Sequence, residues 1–458
     1  MKLIYNIEDR PKLTQTLVFA FQQMIAIMAA TILVPMIISS VGLQLDPAAA
    51  LFGAGAGTLF YVFFTRKRSP VFLGSSFTFI GAMSAAVTMN YGYWGLILGC
   101  VFAGLVYVVI AIIVKSTGSG WVNKLMPPVI IGPIVALIGL SLSSTATSWV
   151  MTNNSNYNWV SILIGLFTFF LIVFVSIKGT KMMKLIPFII GIGGGYILAL
   201  VITLIGRACE VECMQVLSFA AFERTFTPFT AASILDYPKF TFLQAIRSGG
   251  QYPIDGAAIA NIALLYAPIG VVELAQHIAD HKNLGYIVGR DLIQDPGLDR
   301  TLIGDGVGSM IGSFFGGCAN TTYGESIGCV ALTGNASIIS IIFASIGCML
   351  LSFLAPFVAL INSIPFCVMG GACIALYGFI AVSGLNMLHQ VNLNDNRNLY
   401  VVSAILVCGI GGMLFKFGQN QITGGALLEV TALAAALIVG LVTKLIVGLD
   451  KSPQDPAE

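Results

Sequence analysis

The sequence predicts an all-α membrane protein with about fourteen transmembrane segments, and three observations carry that expectation. The 458-residue chain is 57% hydrophobic and only 9% charged. A soluble domain carries roughly 25% charged residues, so too little polar surface remains to face water all round, and the outer surface must face lipid. Apolar stretches of the length that crosses a bilayer, about 20 residues, recur along the chain. Lys and Arg concentrate in alternate loops. A net charge of +2 excludes a strongly basic nucleic-acid binder.

The first ten residues contain no apolar core of a cleavable signal and read as a short cytosolic tail. Spanning helices are expected at 15–38, 48–64, 94–114, 127–142, 159–177, 185–205, 257–278, 338–361, 368–385, 400–415 and 427–449. Three further segments, 71–89, 301–318 and 320–333, are rich in Gly and Ser and make poor simple spans. With the N-terminus inside, the inner loops hold Arg66, Lys67, Arg68, Lys115, Lys124, Lys178, Lys181, Lys184, Lys282, Arg290, Arg300 and Arg397, and the C-terminal tail holds Lys451. The short outer loops 44–47 and 152–158 carry no Lys or Arg. This positive-inside pattern predicts a multi-pass protein with both termini in the cytoplasm, and the plasma membrane is its expected location. The long loop 206–256 is then extracellular. Seven of the nine cysteines sit in apolar stretches and read as packing, whereas Cys209 and Cys213 lie in that polar loop and either pair or stay free.

Fourteen spans divide into seven plus seven, and an odd repeat length inverts the second half. Two interrupted segments then fall at matching places. Leu73-Gly74-Ser75-Ser76-Phe77 opens the third span, and Asn320-Thr321-Thr322-Tyr323-Gly324-Glu325 opens the tenth. Paired breaks of this kind point to a transporter site, because non-helical backbone is tolerated at that depth only where it lines a cavity. Short strands leading into half-helices are expected there; the alternative is two loops dipping into the headgroups.

Polar chemistry gathers in two places. Glu273, Gln276, His277, Asp280 and His281 fall within about 140° of one helix face. An exposed charge at the bilayer centre costs at least about 2.5 kcal/mol, so such a stripe faces protein or water; its inner end, Asp280 and His281, is alternatively the helix mouth. Glu325 is the second focus. At a half-helix N-terminus, backbone N–H groups suit the carbonyl oxygens of a polar ligand, while the carboxylate accepts from its N–H groups. Gln22, Gln23, Ser75, Ser76 and Tyr377 are softer signals, since polar residues within spans often bond helix to helix. Phe77 either stacks on a flat ligand or packs. Two rival classes remain. His277-Ile278-Ala279-Asp280-His281 has the i, i+4 spacing of an inverted zincin motif, which would make an intramembrane metalloenzyme, but the acid is Asp and a third ligand is not evident. A channel is the other, and paired broken helices favour a carrier over it.

At these residues the chain resembles the nucleobase–ascorbate transporter family, also called nucleobase:cation symporter 2, and within it the bacterial uracil permeases. The resemblance covers almost the whole chain. It runs through Arg10-Pro11, Ala30 to Pro35, Leu73 to Phe77, Arg290 to Leu298 and Asn320 to Glu325. The family signature, Gln or Glu, Asn, any, Gly, four residues, Thr, reads here as Glu325, Ser326, Ile327, Gly328 and Thr333, with Ser326 a mild departure.

The resemblance implies a core domain of spans 1–4 (1–125) and 8–11 (257–361). It implies a gate domain of spans 5–7 (126–205) and 12–14 (362–450), with a cytoplasmic tail at 451–458. It implies elevator-like movement, a homodimer, and import of uracil or a related nucleobase with a proton, or with sodium in its place, and no cofactor or resident metal. By motif, Glu325 would bind the base, the backbone N–H groups of Phe77 and Gly324 would meet its carbonyls, and Tyr323 and Phe77 would flank the ring. Ser76 and Tyr377 would support a polar relay. One departure matters: the family carries Glu where this chain has Gln276, which hydrogen-bonds but does not titrate. Either the titrating group has moved to Asp280, with His277 or His281 beside it, or the protein is an uncoupled facilitator. A xanthine or uric acid permease is the alternative substrate reading.

Overall fold

The computed structural model describes residues 3–118, 121, 127–153, 156–180, 183–252, 254–419 and 426–448. Lys124, Lys181 and the tail 451–458 with Lys451 lie outside the described residues. Among those described, eight helices are long and apolar enough to cross a membrane. That helices dominate follows from the solvent: lipid offers no hydrogen bonds, so each segment must satisfy its own backbone.

The chain divides into two compact units, one of residues 1–118 with 143–376 and one of 119–142 with 377–458. The first unit opens with α1 (Leu13–Val41) and α2 (Pro47–Phe64). Asp46 caps α2 by accepting from Ala48 N–H at 3.0 Å, and Pro47 at the first helical position needs no partner. A short strand β1 (Leu73–Ser75) and a single 3-10 turn (Phe77–Phe79) lead into α3 (Ile80–Thr88) and then α4 (Gly92–Thr117). After α5 (Pro128–Ser141), which belongs to the second unit, come α6 (Ser143–Met151), the hairpin of β2 (Thr152–Asn153) and β3 (Asn156–Tyr157), α7 (Trp159–Lys178) and α8 (Pro187–Ala208). The 206–256 loop carries α9 (Ala220–Phe226) and α10 (Thr241–Arg247). There follow α11 (Gly256–Val288), α12 (Leu298–Gly316), β4 (Asn320–Thr322), α13 (Gly324–Thr333), α14 (Ile338–Leu351) and α15 (Ala355–Asn362).

The boundary between units falls inside α16 (Phe366–Met387). The second unit is completed by α17 (Asn396–Ile410), a hairpin of β5 (Phe415–Gln419) and β6 (Ala426–Val430), and α18 (Ala432–Gly448). Glycine lets its helices touch: a Cβ on Gly139 would lie 2.3 Å from the Tyr377 carbonyl oxygen, and one on Gly384 would lie 2.5 Å from that of Gly132.

Several expected spans change shape. The stretch 257–278 continues as one helix to Val288, so Asp280 and His281 lie inside α11 rather than at its mouth. The expected span 338–361 is broken between α14 and α15. The expected 427–449 begins as strand β6. The Gly-rich stretch 301–318 is a continuous 19-residue helix, α12. Its glycines are there for close approach. A Cβ on Gly53 would sit 2.7 Å from the Gly312 carbonyl oxygen, one on Gly57 2.7 Å from that of Gly308, and one on Gly104 2.6 Å from that of Gly306. Small residues on facing helices give the backbone contact that lipid cannot drive by hydrophobicity.

Polar clasps close one end of α2. Arg68 pairs with Asp295, and Arg290 grips Glu8 with both guanidinium nitrogens, Nη2 at 2.8 Å from Oε2. The Arg290 guanidinium holds the Glu8 carboxyl below the usual carboxylate range, and Glu8 in turn raises Arg290. The N-terminal segment is laced to the turn between α13 and α14: Ala336 N–H donates to Tyr5 O at 2.9 Å, Ile338 N–H to Ile7 O at 3.1 Å, and Ile7 is buried. The other end of α2, about 27 Å away for 18 residues, borders a cavity of about 840 Å³ lined by residues 44–48 and parts of 218–244 and 352–362. All nine cysteines are free thiols, Cys209 and Cys213 included.

Candidate functional site

Strands β1 and β4 pair antiparallel, with Leu73 opposite Thr322, Gly74 opposite Thr321 and Ser75 opposite Asn320. The two interrupted segments of the sequence are therefore one structural element. The ladder is extended at both ends, by Ser76 N–H to Ala319 O at 2.8 Å and Tyr323 N–H to Phe72 O at 3.3 Å. Because the strands run oppositely, the helices that follow leave from opposite ends. The turn at Phe77 starts beyond Ser75 and α13 starts beyond Thr322, about 10 Å of strand apart at about 3.3 Å per residue. Each presents a helix N-terminus, whose first N–H groups have no acceptor within the helix.

Packing fixes this crossing. The Tyr323 ring lies against Gly74, where a Cβ would come within 2.3 Å of it, and its hydroxyl donates to Ser75 O at 2.7 Å. Ser326, the departure from the family signature, accepts from Phe72 N–H at 2.9 Å. Gln23 of α1 reaches Ser326 O at 3.3 Å. Asn320 donates to Gly53 O at 2.9 Å and fills the space that Gly57 and Gly312 leave open.

Helix α11 runs alongside. Ser76 Oγ–H donates to Glu273 Oε1 at 3.0 Å at one end of the ladder, and Thr322 Oγ1–H donates to Asp280 Oδ2 at 2.8 Å at the other. Seven helical residues rise about 10.5 Å, the length of the ladder, so the face carrying 273, 276, 277 and 280 matches it end to end. Gln276 falls between the two anchors and is half-buried, as are Asp280 and Glu325. Gly324 is exposed, and a Cβ built there would meet nothing within 4 Å, so this helix N-terminus opens onto free space. Phe77 is 8% exposed.

Behind that accessible layer lies a sealed one. Glu273, His277 and His281 are each 1% exposed and Asp305 of α12 is 0%. The Thr301 hydroxyl donates to Leu298 O at 3.1 Å, so it accepts from His277 Nε2–H at 3.0 Å. His277 Nδ1 lies 2.6 Å from Asp305 Oδ2, a contact that needs one proton between the two atoms. His281 Nδ1–H donates to His277 O at 2.7 Å, and Nε2 lies in hydrogen-bond contact with the Tyr61 hydroxyl at 2.7 Å. All four ring nitrogens are thus occupied within the protein. The metalloenzyme reading of His277 and His281 fails on this geometry, and no cluster with metal-ligand character occurs among the described residues.

Of the residues singled out in the sequence, Ser76, Phe77, Gln276, Asp280, Tyr323, Gly324 and Glu325 gather on the ladder, its two helix starts and the facing side of α11. His277 lies in the sealed layer. Tyr377 belongs to the second unit, where it is buried and its carbonyl contacts Gly139. In the sequence, Asp305 and Thr301 are not singled out, Thr322 is named only as part of the second interrupted segment, and Glu273 is put on the polar stripe without a role of its own. The carboxylate between Gly304 and Gly306 is a usable signal; Thr301 carries none.

A model of the Permease family matches residues 14–418. The chain is 37% identical over 448 residues to the "Uracil permease" of Bacillus caldolyticus, covering 97% of this chain and 95% of that protein. It is 34% identical over 460 residues to the "Uracil permease" of Bacillus subtilis (strain 168), covering 99% and 97%. It is 31% identical over 445 residues to that of Escherichia coli (strain K12), covering 96% and 95%. Among solved structures, the fold is similar to the transmembrane domain of a cyanobacterium bicarbonate transporter, BicA, with TM-score 0.58 at 15% identity over 95% of this chain and 98% of that one. It is similar also to SLC26A9, with TM-score 0.59 at 13% identity over 96% and 66%. The chain belongs to the permease family that includes these bacterial uracil permeases, and it is a membrane transporter rather than an enzyme.

Proposed function

We propose that this permease imports a nucleobase, with uracil as the leading substrate, by secondary active transport. The observation that carries the reading is the pair of helix N-termini at the ends of one short ladder, with Glu325 at the start of α13 and open space at Gly324. A pyrimidine lactam alternates N–H donors and C=O acceptors in one plane. Glu325 accepts from a ring N–H, the N–H groups of Gly324 and Phe77 donate to the carbonyls, and Gln276, midway along the facing helix, donates and accepts. Phe77 and Tyr323 bound the ring. The names of the curated relatives support uracil.

The finer architecture is part of the same proposal. Fourteen spans in a seven-plus-seven inverted repeat would form a core (1–125 and 257–361) that moves elevator-like against a gate (126–205 and 362–450). The protein would work as a homodimer in the plasma membrane with both termini cytoplasmic. A proton is the coupling ion, or sodium in its place, with Asp280, His277, Glu325, Ser76 and Tyr377 as the candidate relay residues.

Gln276 favours a second reading, an uncoupled facilitator, because it holds a substrate without titrating. Uptake of radiolabelled uracil into proteoliposomes, with and without an inward proton gradient, separates these for the parent and Gln276→Glu. Concentrative uptake by the parent supports coupling outside Gln276. Concentration by Gln276→Glu alone supports the facilitator. Saturable xanthine uptake with no uracil uptake would replace the substrate and keep the family.

A further inference from the structure

Glu273 has no part in the substrate contacts above, yet its surroundings ask for a cation. It is 1% exposed. Ser76 satisfies Oε1, whereas Oε2 is buried and meets no hydrogen-bonding partner. The hydroxyls of Thr78 and Thr321 also face the carboxyl. The nearby titratable groups are mostly acids or neutral. Asp305 of α12 faces it, Asp280 lies within electrostatic reach of both and also of Glu325, and Tyr107 and Tyr323 lie close. On its own helix, His277 is committed to Asp305 and Thr301 and His281 to Tyr61, while Lys282 is exposed on the opposite side of α11. Among the described residues no Lys or Arg makes a salt bridge to Glu273. An ionised carboxyl left in such a place without compensation is costly.

We propose that Glu273 binds the coupling cation, a proton or a sodium ion, and that Ser76 passes the loading state to the half-helix that begins at Phe77. This rests on the transport reading above and supplies the charge that Gln276 lacks. A proton forms an O–H bond on the carboxyl and leaves it neutral. Sodium is held instead by the oxygens of Glu273, Ser76, Thr78 and Thr321, a hard-oxygen set. In either case the added cation changes what Ser76 donates to. Ser76 directly precedes the N–H of Phe77, so loading and substrate binding share one backbone element. Linkage then makes each favour the other by the same factor.

The test uses the full chain in proteoliposomes. Glu273→Gln keeps the size of the side chain and an acceptor for Ser76 but cannot take up a cation's charge. A one-unit inward pH gradient, or a tenfold sodium gradient, supports about tenfold uracil accumulation at one ion per substrate. We expect the parent to approach that ratio under one of the two gradients, which identifies the ion. Glu273→Gln should fall to a ratio of about one and lose the dependence of uracil affinity on that ion. Glu273→Asp keeps the charge on a shorter arm and should retain accumulation with a shifted midpoint. Undiminished accumulation by Glu273→Gln overturns the proposal, and so does a parent that equilibrates uracil without concentrating it under either gradient. A parent that does not handle uracil at all refutes the substrate reading instead. Infrared difference spectra on a pH or sodium step then decide Glu273 alone: a carboxyl C=O band lost in Glu273→Gln supports it, and an unchanged band overturns it.

Discussion

Gly74 is a place where one methyl group should disable the site. In Gly74→Ala the new Cβ would stand 2.3 Å from Tyr323 Cε2, 2.4 Å from Cζ and 2.9 Å from Thr31 Oγ1. Carbon atoms settle at about 3.5–4.0 Å, so the ring must retreat by at least about 1 Å. It has little freedom to do so, because its hydroxyl is held to Ser75 O at 2.7 Å and the residue is 3% exposed. The next two residues are Gly324 and Glu325, so the strain moves the start of α13. Overpacking of this kind costs about 1–3 kcal/mol, and a tenfold change in affinity is about 1.4 kcal/mol. We expect uracil binding to weaken roughly 10- to 100-fold if most of that cost falls on the bound geometry. The assay is equilibrium binding of radiolabelled uracil to purified protein, beside a thermal melt. Gly193→Ala on α8, where a Cβ meets nothing within 4 Å, serves as the control and should leave both readings near the parent. Parental affinity and melting in Gly74→Ala would refute the claim that Tyr323 packing positions the site.

Asp305→Leu leaves His277 Nδ1 buried without a partner and should cost about 1–3 kcal/mol of stability, read as a drop in melting temperature, part of which returns in the double variant with His277→Leu. Asp280→Asn retains an acceptor for Thr322, so it should fold normally; if the coupling charge had moved to Asp280, gradient-driven uptake would fall, whereas coupling at Glu273 predicts that it persists. Arg290→Gln removes an exposed clasp worth under about 1 kcal/mol, and its effect has a defined pH sense. Glu8 is held below its ordinary value by Arg290, so the clasp contributes above the unfolded carboxylate's value of about 4.3 and is lost as pH falls through the lowered one. The melting difference between parent and Arg290→Gln should be present at neutral pH and vanish in strong acid.

Much of this was legible from residues alone. Apolar runs of spanning length marked nearly every long helix, because lipid imposes one local solution on the backbone. The breaks at Leu73 and Asn320 were visible because Gly, Ser and Thr replace helix formers there. That the breaks pair with each other was not visible, since strand pairing across the 244 residues between Ser75 and Asn320 leaves no local trace. The stripe of α11 followed from its period, but period alone cannot say which of its members face open space. Glu273 and Gln276 differ in accessibility because Ser76, Thr78 of the turn at Phe77 and Thr321 of β4 come against Glu273. Asp305 was overlooked for the same reason: its role exists only through His277, on another helix.

The central claim, that a nucleobase is held at Glu325 between two helix N-termini, is tested most directly by equilibrium binding of radiolabelled uracil to the parent and to Glu325→Gln. The substitution keeps the shape of the side chain and removes a charged acceptor worth about 1.5–3 kcal/mol. The account predicts saturable binding by the parent and a loss of roughly 10- to 150-fold in the variant. Equal affinity in the two proteins would contradict it.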